Sequence, residues 1–264
     1  MFIESEVREN VLTLILNDPR RRNAMGEEMR SELYAALLQA ADHPDIRALV
    51  LRGAGGNFCS GGDLDAMPPA DEETGRDRLE KVGALVRLLA GFPKPTLALV
   101  EGAAAGLGAG LACACDYVAL TANARVLFPF TKLGLLPDAG TLHTLGARVG
   151  TSRARLLLLE AATLDAAACL DLGLADAVIP EAVSPEGQAQ GHLPDEVFAK
   201  ARELASRGPA PVAAIKDLFS SGLPSLDAVL AAEAKLQPLF FLTEDFAEGK
   251  AAFRQKRLPR FTGR

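Results

Sequence analysis

Glu101-Gly-Ala-Ala-Ala-Gly106-Leu-Gly108-Ala-Gly110-Leu-Ala-Cys-Ala-Cys-Asp116 is the stretch whose reading decides the fold. An apolar run, Pro95-Thr-Leu-Ala-Leu-Val100, precedes it and reads as a buried strand. Glycines at 102, 106, 108 and 110 then mark a tight turn, and small or apolar residues continue to Asp116. The expectation is a strand, a glycine turn and a helix packed on every side. The first N–H groups of such a helix lack intrahelical acceptors and face whatever lies in front of them. Two readings of the glycines stay open. They let a helix pack close to a sheet, or they bring backbone donors up to a developing negative charge. The spacing Gly106-x-Gly108-x-Gly110 is not the Gly-x-Gly-x-x-Gly of a dinucleotide-binding turn, and no Gly-Lys-Ser/Thr follows to cradle a phosphate.

A chain of 264 residues suffices for one large domain or two small ones, and a 49% hydrophobic share supplies a sizeable core. The net charge of −6, from 28 basic and 34 acidic residues, argues against a nucleic-acid partner. No apolar run reaches the roughly 18 uncharged residues that a membrane span needs. The start, Met1-Phe-Ile-Glu-Ser-Glu-Val-Arg8, lacks the basic-then-apolar pattern of a signal peptide, and a cytoplasmic protein is expected. Cys59, Cys113, Cys115 and Cys169 contain no Cys-x-x-Cys pair and are expected to stay reduced. His43, His143 and His192 show no metal-ligand spacing, which argues against a metal site and against a serine–histidine triad. Ser60 is not in a Gly-x-Ser-x-Gly elbow, because position 58 is Phe.

Outward from the opening stretch, residues 2–8 and 11–16 read as strands joined by a turn at Glu9-Asn10. Arg20, Arg21 and Arg22 form either a solvated surface run or a contact for a phosphorylated ligand. Helical periodicity over 26–41 and a buried strand over 46–51 follow. Gly53 to Met67 reads as a second strand-to-glycine-turn-to-helix unit with Asp63 as its N-cap. Residues 68–78, rich in Pro and charge, read as a surface loop, with helix resuming around 79–91. Further strands are expected at 117–121, 125–128 and 175–179. Helices are expected at 141–149, 152–160 and 165–172, and from 195 onward up to a Pro-rich tail after Leu258. A loop at 131–140 turns around Pro137-Asp138, and another covers 184–194. The recurring unit is strand, strand, helix, which makes an α/β fold with a helical C-terminal part.

Taken together, these residues resemble the crotonase family, the enoyl-CoA hydratase/isomerase superfamily. The resemblance spans essentially the whole chain. It rests on Leu16-Asn-Asp-Pro-Arg-Arg-Arg-Asn-Ala-Met25, Phe58-Cys-Ser-Gly-Gly-Asp-Leu64, Gly102-x-Ala-x-Gly106-x-Gly108, Cys115-Asp116, Leu133-Gly-Leu-Leu-Pro-Asp-Ala-Gly140, Gly173-Leu174 and Glu248-Gly-x-x-Ala-Phe253-x-x-Lys256-Arg257-x-Pro259-x-Phe261. It implies a spiral of β-β-α turns over residues 1–194, which carries acyl-CoA binding and the active site. Residues 195–264 would form a helical region that drives homotrimers or hexamers. The substrate would be an acyl-CoA thioester, with coenzyme A part of the substrate, no separate cofactor and no metal. The thioester oxygen would be held by the backbone N–H groups of Gly62 and Leu107. Arg22, Ala24, Ser60, Asp63, Leu64 and Lys256 match positions near the coenzyme, Gly62 among them.

Hydratases of the family use two glutamates, and the matching positions here are Gly110 and Phe130, neither of which transfers a proton. The acid left in the matched loop is Asp138. Some family members have at this place an aspartate that shuttles a proton; the plain reading is a turn residue after proline. The resemblance therefore implies an acyl-CoA isomerase with Asp138 as proton shuttle. A hydratase-like enzyme with a non-standard acid and a non-catalytic acyl-CoA-binding protein are the alternatives. If Asp138 is the base, Phe130, Leu135 and Leu136 around it should raise its pKa.

Overall fold

The computed structural model describes the chain except residues 65, 66, 68–70, 181–192, 221 and 223. Most of the expected 184–194 loop, His192 and the start of the 68–78 loop thus lie outside the described residues.

Strands β1 (Ile3–Arg8) and β2 (Val11–Leu16) form an antiparallel hairpin. Glu9 and Asn10 both take positive φ, 47° and 66°, the two-residue turn whose twist matches that of the flanking strands. Helix α1 (Glu27–Asp42) follows, burying Met29, Leu33 and Leu37. Strands β3 (Ala48–Gly53) and β4 (Thr96–Val100) are buried along their whole length and pair in parallel. A parallel sheet covered on both faces requires such continuous apolar runs. With β6 (Tyr117–Thr121) and β9 (Ala177–Ile179) these strands make one six-stranded sheet, order β1-β2-β3-β4-β6-β9, among the described residues.

A second, smaller sheet stands beside the first. It contains β5 (Ala103–Ala105), β7 (Arg125–Leu127) and β8 (Thr163–Asp165). Single bridges, Cys59 to Ala104 and Met25 to Gly62, carry the row on toward the N-terminus. Successive turns of the chain give a long strand to the large sheet, a short piece to the small one, and a helix. The α/β spiral expected from the resemblance is present. The sequence reading does not include β5 or β8: Ala103–Ala105 is uniform in polarity, and Thr163–Asp165 runs into the start of the next helix.

Helix α2 spans Glu72–Ala90. Its first two turns lie where the sequence reads as loop. The Asp71 carboxylate accepts from Thr74 N–H at 2.8 Å and caps the helix. No helix starts at Asp63, so the N-cap role assigned to that residue is corrected. Asp63 instead pairs with Arg21 at 2.5 Å.

Helix α3 (Leu107–Ala114) is buried at every residue. Gly106 before it holds φ 52°, a left-handed conformation that suits glycine. A Cβ on Gly108 would run into the Cys59 carbonyl, so a glycine is required for α3 to lie this close to the small sheet. Helices α4 (Thr141–Val149), α5 (Thr151–Leu159) and α6 (Ala166–Asp171) complete the spiral.

Helix α7 (Asp195–Ala205) lays Val197, Phe198 and Ala201 on a second core with Val11, Ala48, Val50, Leu97 and Leu99 from the large sheet. Helix α8 (Pro209–Phe219) is tied to the spiral by the buried Lys216 ammonium, which pairs with Asp116 and donates to Thr96 Oγ1 at 3.3 Å. Beyond it, α9 (Leu226–Phe240) and α10 (Glu244–Gln255) enclose with α8 and Phe261 an apolar cleft of about 510 Å3. No helix among the described residues is long and apolar enough to cross a membrane.

Candidate active site

The loop at 60–64 and the start of α3 approach each other at the C-terminal side of the small sheet. Met25 N–H donates to the Gly61 carbonyl at 2.8 Å and Cys59 N–H to the Ala103 carbonyl at 3.0 Å, which fixes the loop against its neighbours. The gap beyond is narrow: a Cβ on Gly61 would stand 4.0 Å from Leu107 N. Neither Gly62 N–H nor Leu107 N–H has an acceptor among the described residues. Both residues line one cleft of about 90 Å3, together with Ser60, Leu64, Phe130 and Asp138. Two free backbone donors at the mouth of a mainly apolar cleft suit an oxygen that gains negative charge.

Asp138 enters the cleft from the loop before α4. Its carbonyl accepts from Thr141 N–H (3.0 Å) and from Thr141 Oγ1–H (2.7 Å), while Ala139 and Gly140 take φ of 53° and 65°. Asp138 thus does build a turn, and the same turn presents its carboxyl to the cleft. Burial pushes that carboxyl above its ordinary pKa, and the nearby Arg78 charge opposes the rise. The direction matches the expectation from Phe130 and Leu135, which line the cleft; Leu136 is 78% exposed and does not.

Gly110 and Phe130, at the places of the two family glutamates, differ in kind. The Phe130 ring is buried and forms a wall of the cleft. Gly110 is covered by the Asp138 turn: a Cβ there would come to 2.9 Å from Thr141 Oγ1 and 3.2 Å from the Ala139 Cβ and carbonyl oxygen.

Among the residues matched to coenzyme positions, Arg22, Ala24, Ser60, Asp63 and Leu64 come together. Ser60 N–H donates to the Arg22 carbonyl at 3.0 Å, and Ser60 Oγ–H to the Arg21 carbonyl at 3.2 Å. Ala24 N–H donates to the Arg21 carbonyl at 3.1 Å. Asn23, fully buried, ties this loop down through bonds to Ala54 and Asn57 carbonyls. Lys256 is not brought to this group. It lies exposed at the end of α10, with φ 53°, and does not line the cleft.

Sequence reasoning missed Arg78 and Met67, which also line the cleft. Arg78 had a readable signal. It stands four residues before Val82, at the head of the buried stripe Val82, Leu85, Val86 and Leu89 of α2.

Residues 6–264 match the family model described as enoyl-CoA hydratase/isomerase. A probable enoyl-CoA hydratase of Rhodobacter capsulatus is 40% identical over 264 residues, covering 99% of this chain and 98% of the relative. The 1,2-epoxyphenylacetyl-CoA isomerase of Escherichia coli is 36% identical, covering 100% and 99%. The crystal structure of an enoyl-CoA hydratase from Bacillus anthracis superposes over 100% of both chains with a TM-score of 0.91 at 27% identity. With the spiral of strands, the paired backbone donors and these likenesses along its whole length, the chain belongs to the enoyl-CoA hydratase/isomerase family, the crotonase superfamily.

Proposed function

We propose that the protein is an acyl-CoA isomerase in which Asp138 moves a proton and Gly62 and Leu107 hold the thioester oxygen. The observation that carries this reading is Asp138 lining a cleft walled by Phe130, at one family glutamate position, while Gly110, at the other, is covered by the Asp138 turn. For a β,γ-enoyl thioester, the Asp138 carboxylate takes a proton from the carbon beside the thioester. The C–H electron pair becomes part of a dienolate, and its negative charge falls on the thioester oxygen. Donors already aimed at that oxygen stabilise the dienolate more than the ground state, which lowers the barrier. Asp138 then returns the proton to the γ-carbon, giving the conjugated isomer. One carboxylate suffices for both transfers, whereas hydration asks for a second group to handle water.

The reading also takes Arg22, Ala24, Ser60, Asp63 and Leu64 as the coenzyme-side surface. Lys256 would reach the coenzyme phosphates from a neighbouring subunit of a trimer or hexamer. The isomerase relative from Escherichia coli agrees with it in reaction class, and the hydratase relative from Rhodobacter capsulatus names the competing outcome.

The test is an assay of β,γ-enoyl-CoA conversion with deuterium uptake beside the thioester, run alongside crotonyl-CoA hydration. Isomerisation with exchange and little hydration supports the proposal. Efficient hydration shows a hydratase with another acid or base, and tight thioester binding with neither reaction shows a non-catalytic binder.

A further inference from the structure

The notable group in the cleft is a cation. Helix α2 buries Val82, Leu85, Val86 and Leu89 along one stripe, and the position one turn before Val82 is Arg78. An apolar residue would continue the stripe. Arginine there sends an apolar stem along the core face and a charged head into the cleft. The head has a definite place: a Cβ on Gly62 would lie 3.4 Å from Arg78 Nη2. The guanidinium therefore packs against the residue whose N–H faces the substrate oxygen, and it lines the same cleft as Asp138.

We propose that Arg78 is a positioning residue for the proton transfer: its guanidinium supplies a positive charge beside Gly62 that opposes protonation of Asp138 and draws enolate charge toward Gly62 and Leu107. The proposal rests on the isomerase reading for its catalytic consequence. Its electrostatic part stands on the cleft alone. A half-buried carboxyl among Phe130, Leu133 and Leu135 is pushed toward its neutral form, and a cation in the same cleft opposes that push. A cation in the same cleft also favours the enolate, so one charge helps the base and the conjugate base of the substrate at once.

Among the described residues, other charged groups stand around the site, each with its own contacts. From α1, Glu27 and Arg30 face Arg78, and Glu27 is bound to Lys81 at 3.0 Å. From the loop beside Gly62, Asp63 is paired with Arg21. Lys132, in the 3-10 turn Phe130–Leu133, donates to the Ala161 carbonyl at 3.2 Å. His143 of α4 lines a different cavity, with Asp116, Arg148 and Lys216. The α3 residues facing Asp138 carry no charge.

The experiment compares wild type with Arg78→Met, which keeps much of the stem and loses the charge, and Arg78→Lys, which restores a charge. The Asp138 carboxyl is titrated by carbon NMR, with Asp138→Asn identifying its signal, and deuterium uptake into a β,γ-enoyl-CoA is followed across pH. In R78M the titration midpoint is expected to rise by at least a threefold change in proton concentration. The acidic limb of exchange should rise with it, and saturated acyl-CoA should bind within threefold of wild type. R78K should move both readouts back toward wild type. Arg78→Gln takes the place of the Met variant if that one does not fold. A midpoint that stays put in the neutral variant overturns the proposal, whatever happens to the rate, because loss of packing alone slows turnover without moving a carboxyl titration. A midpoint that moves in a protein showing no exchange supports the role of Arg78 and sinks the isomerase reading. Exchange in wild type with an unmoved midpoint sinks the role of Arg78 and leaves the isomerase reading standing.

Discussion

Thr141 Oγ1 occupies the space that any side chain at Gly110 would need, since a Cβ there would stand only 2.9 Å from it. Thr141 is held in that place by its bond to the Asp138 carbonyl. The turn that delivers Asp138 to the cleft is thus the same object that denies α3 an acid.

Gly110→Glu is therefore expected not to create a hydratase. The added side chain overpacks the Asp138 turn, at a cost of about 1–3 kcal/mol in stability. Crotonyl-CoA hydration and urea unfolding, measured on both proteins, check this. A variant that folds as well as wild type and hydrates briskly would refute it.

Asp138→Asn keeps both backbone donors and the turn, because the Thr141 bonds go to the main-chain carbonyl. It is expected to bind acyl-CoA as wild type does and to isomerise about a hundredfold more slowly or worse, the scale of a lost general base. Single-turnover conversion of a β,γ-enoyl-CoA reads the rate, and retention of that rate would pass the role to another residue.

The raised pKa of Asp138 has two consequences of known sign. As a base it works only when ionised, so the acidic limb of kcat/KM should lie above the ordinary aspartate value of about 3.9. In stability, the folded state holds this proton more tightly than the unfolded chain. Its contribution is present below the unfolded pKa and is lost as pH rises through the folded one. Asp138→Asn should then be more stable than wild type at neutral pH, and the gain should fade on acidification toward pH about 4. Thermal unfolding at a series of pH values tests the second consequence without any substrate.

Lys216→Met leaves Asp116, among the described residues, with its Thr96 bonds and removes the ionic tie between α8 and the spiral. A loss of about 1–3 kcal/mol is expected, the cost of stranding one hydrogen-bonded partner, and it should appear first as faster amide exchange in α8. Unchanged protection in α8 would show that its apolar contacts alone hold it.

The chain is expected to assemble as a trimer or hexamer. Phe253 and Leu258 are each 87% exposed, and Leu242 is almost as bare. So much apolar surface on one helical region suits an interface between copies. Light scattering that returned the 27.8 kDa mass of one chain would end this expectation.

How much of this could be read from the residues depended on length and on contrast. The hairpin, α1, β3, β4 and α3 declare themselves through long apolar runs or regular spacing. Ala103–Ala105 (β5) is uniform in polarity and Thr163–Asp165 (β8) runs into the start of α6, so neither reads as a strand. The first turns of α2 escaped because Asp71 to Arg78 is charged on its exposed side and looks like a loop. Losing those turns also lost Arg78, whose meaning depends on knowing that it stands one turn before Val82. Gly62, Leu107 and Asp138 came from motif order, and the cleft that unites them is formed where the 60–64 loop, the start of α3 and the loop before α4 meet, which spacing along a chain cannot express. The crowding of Gly110 by Thr141 is a contact between α3 and α4, invisible until both helices are placed.

The strands of the large sheet stand side by side in the order of their synthesis, β1 through β9. Each can join an existing edge as it leaves the ribosome, with no earlier strand waiting for a later one to be inserted beside it. One face is the exception. Val11, Ala48, Val50, Leu97 and Leu99 are covered by Val197, Phe198 and Ala201, which are translated last of that group. A nascent chain that halted before Asp195 would carry a nearly finished sheet with a bare apolar strip, the kind of surface that chaperones hold and that stray chains stick to.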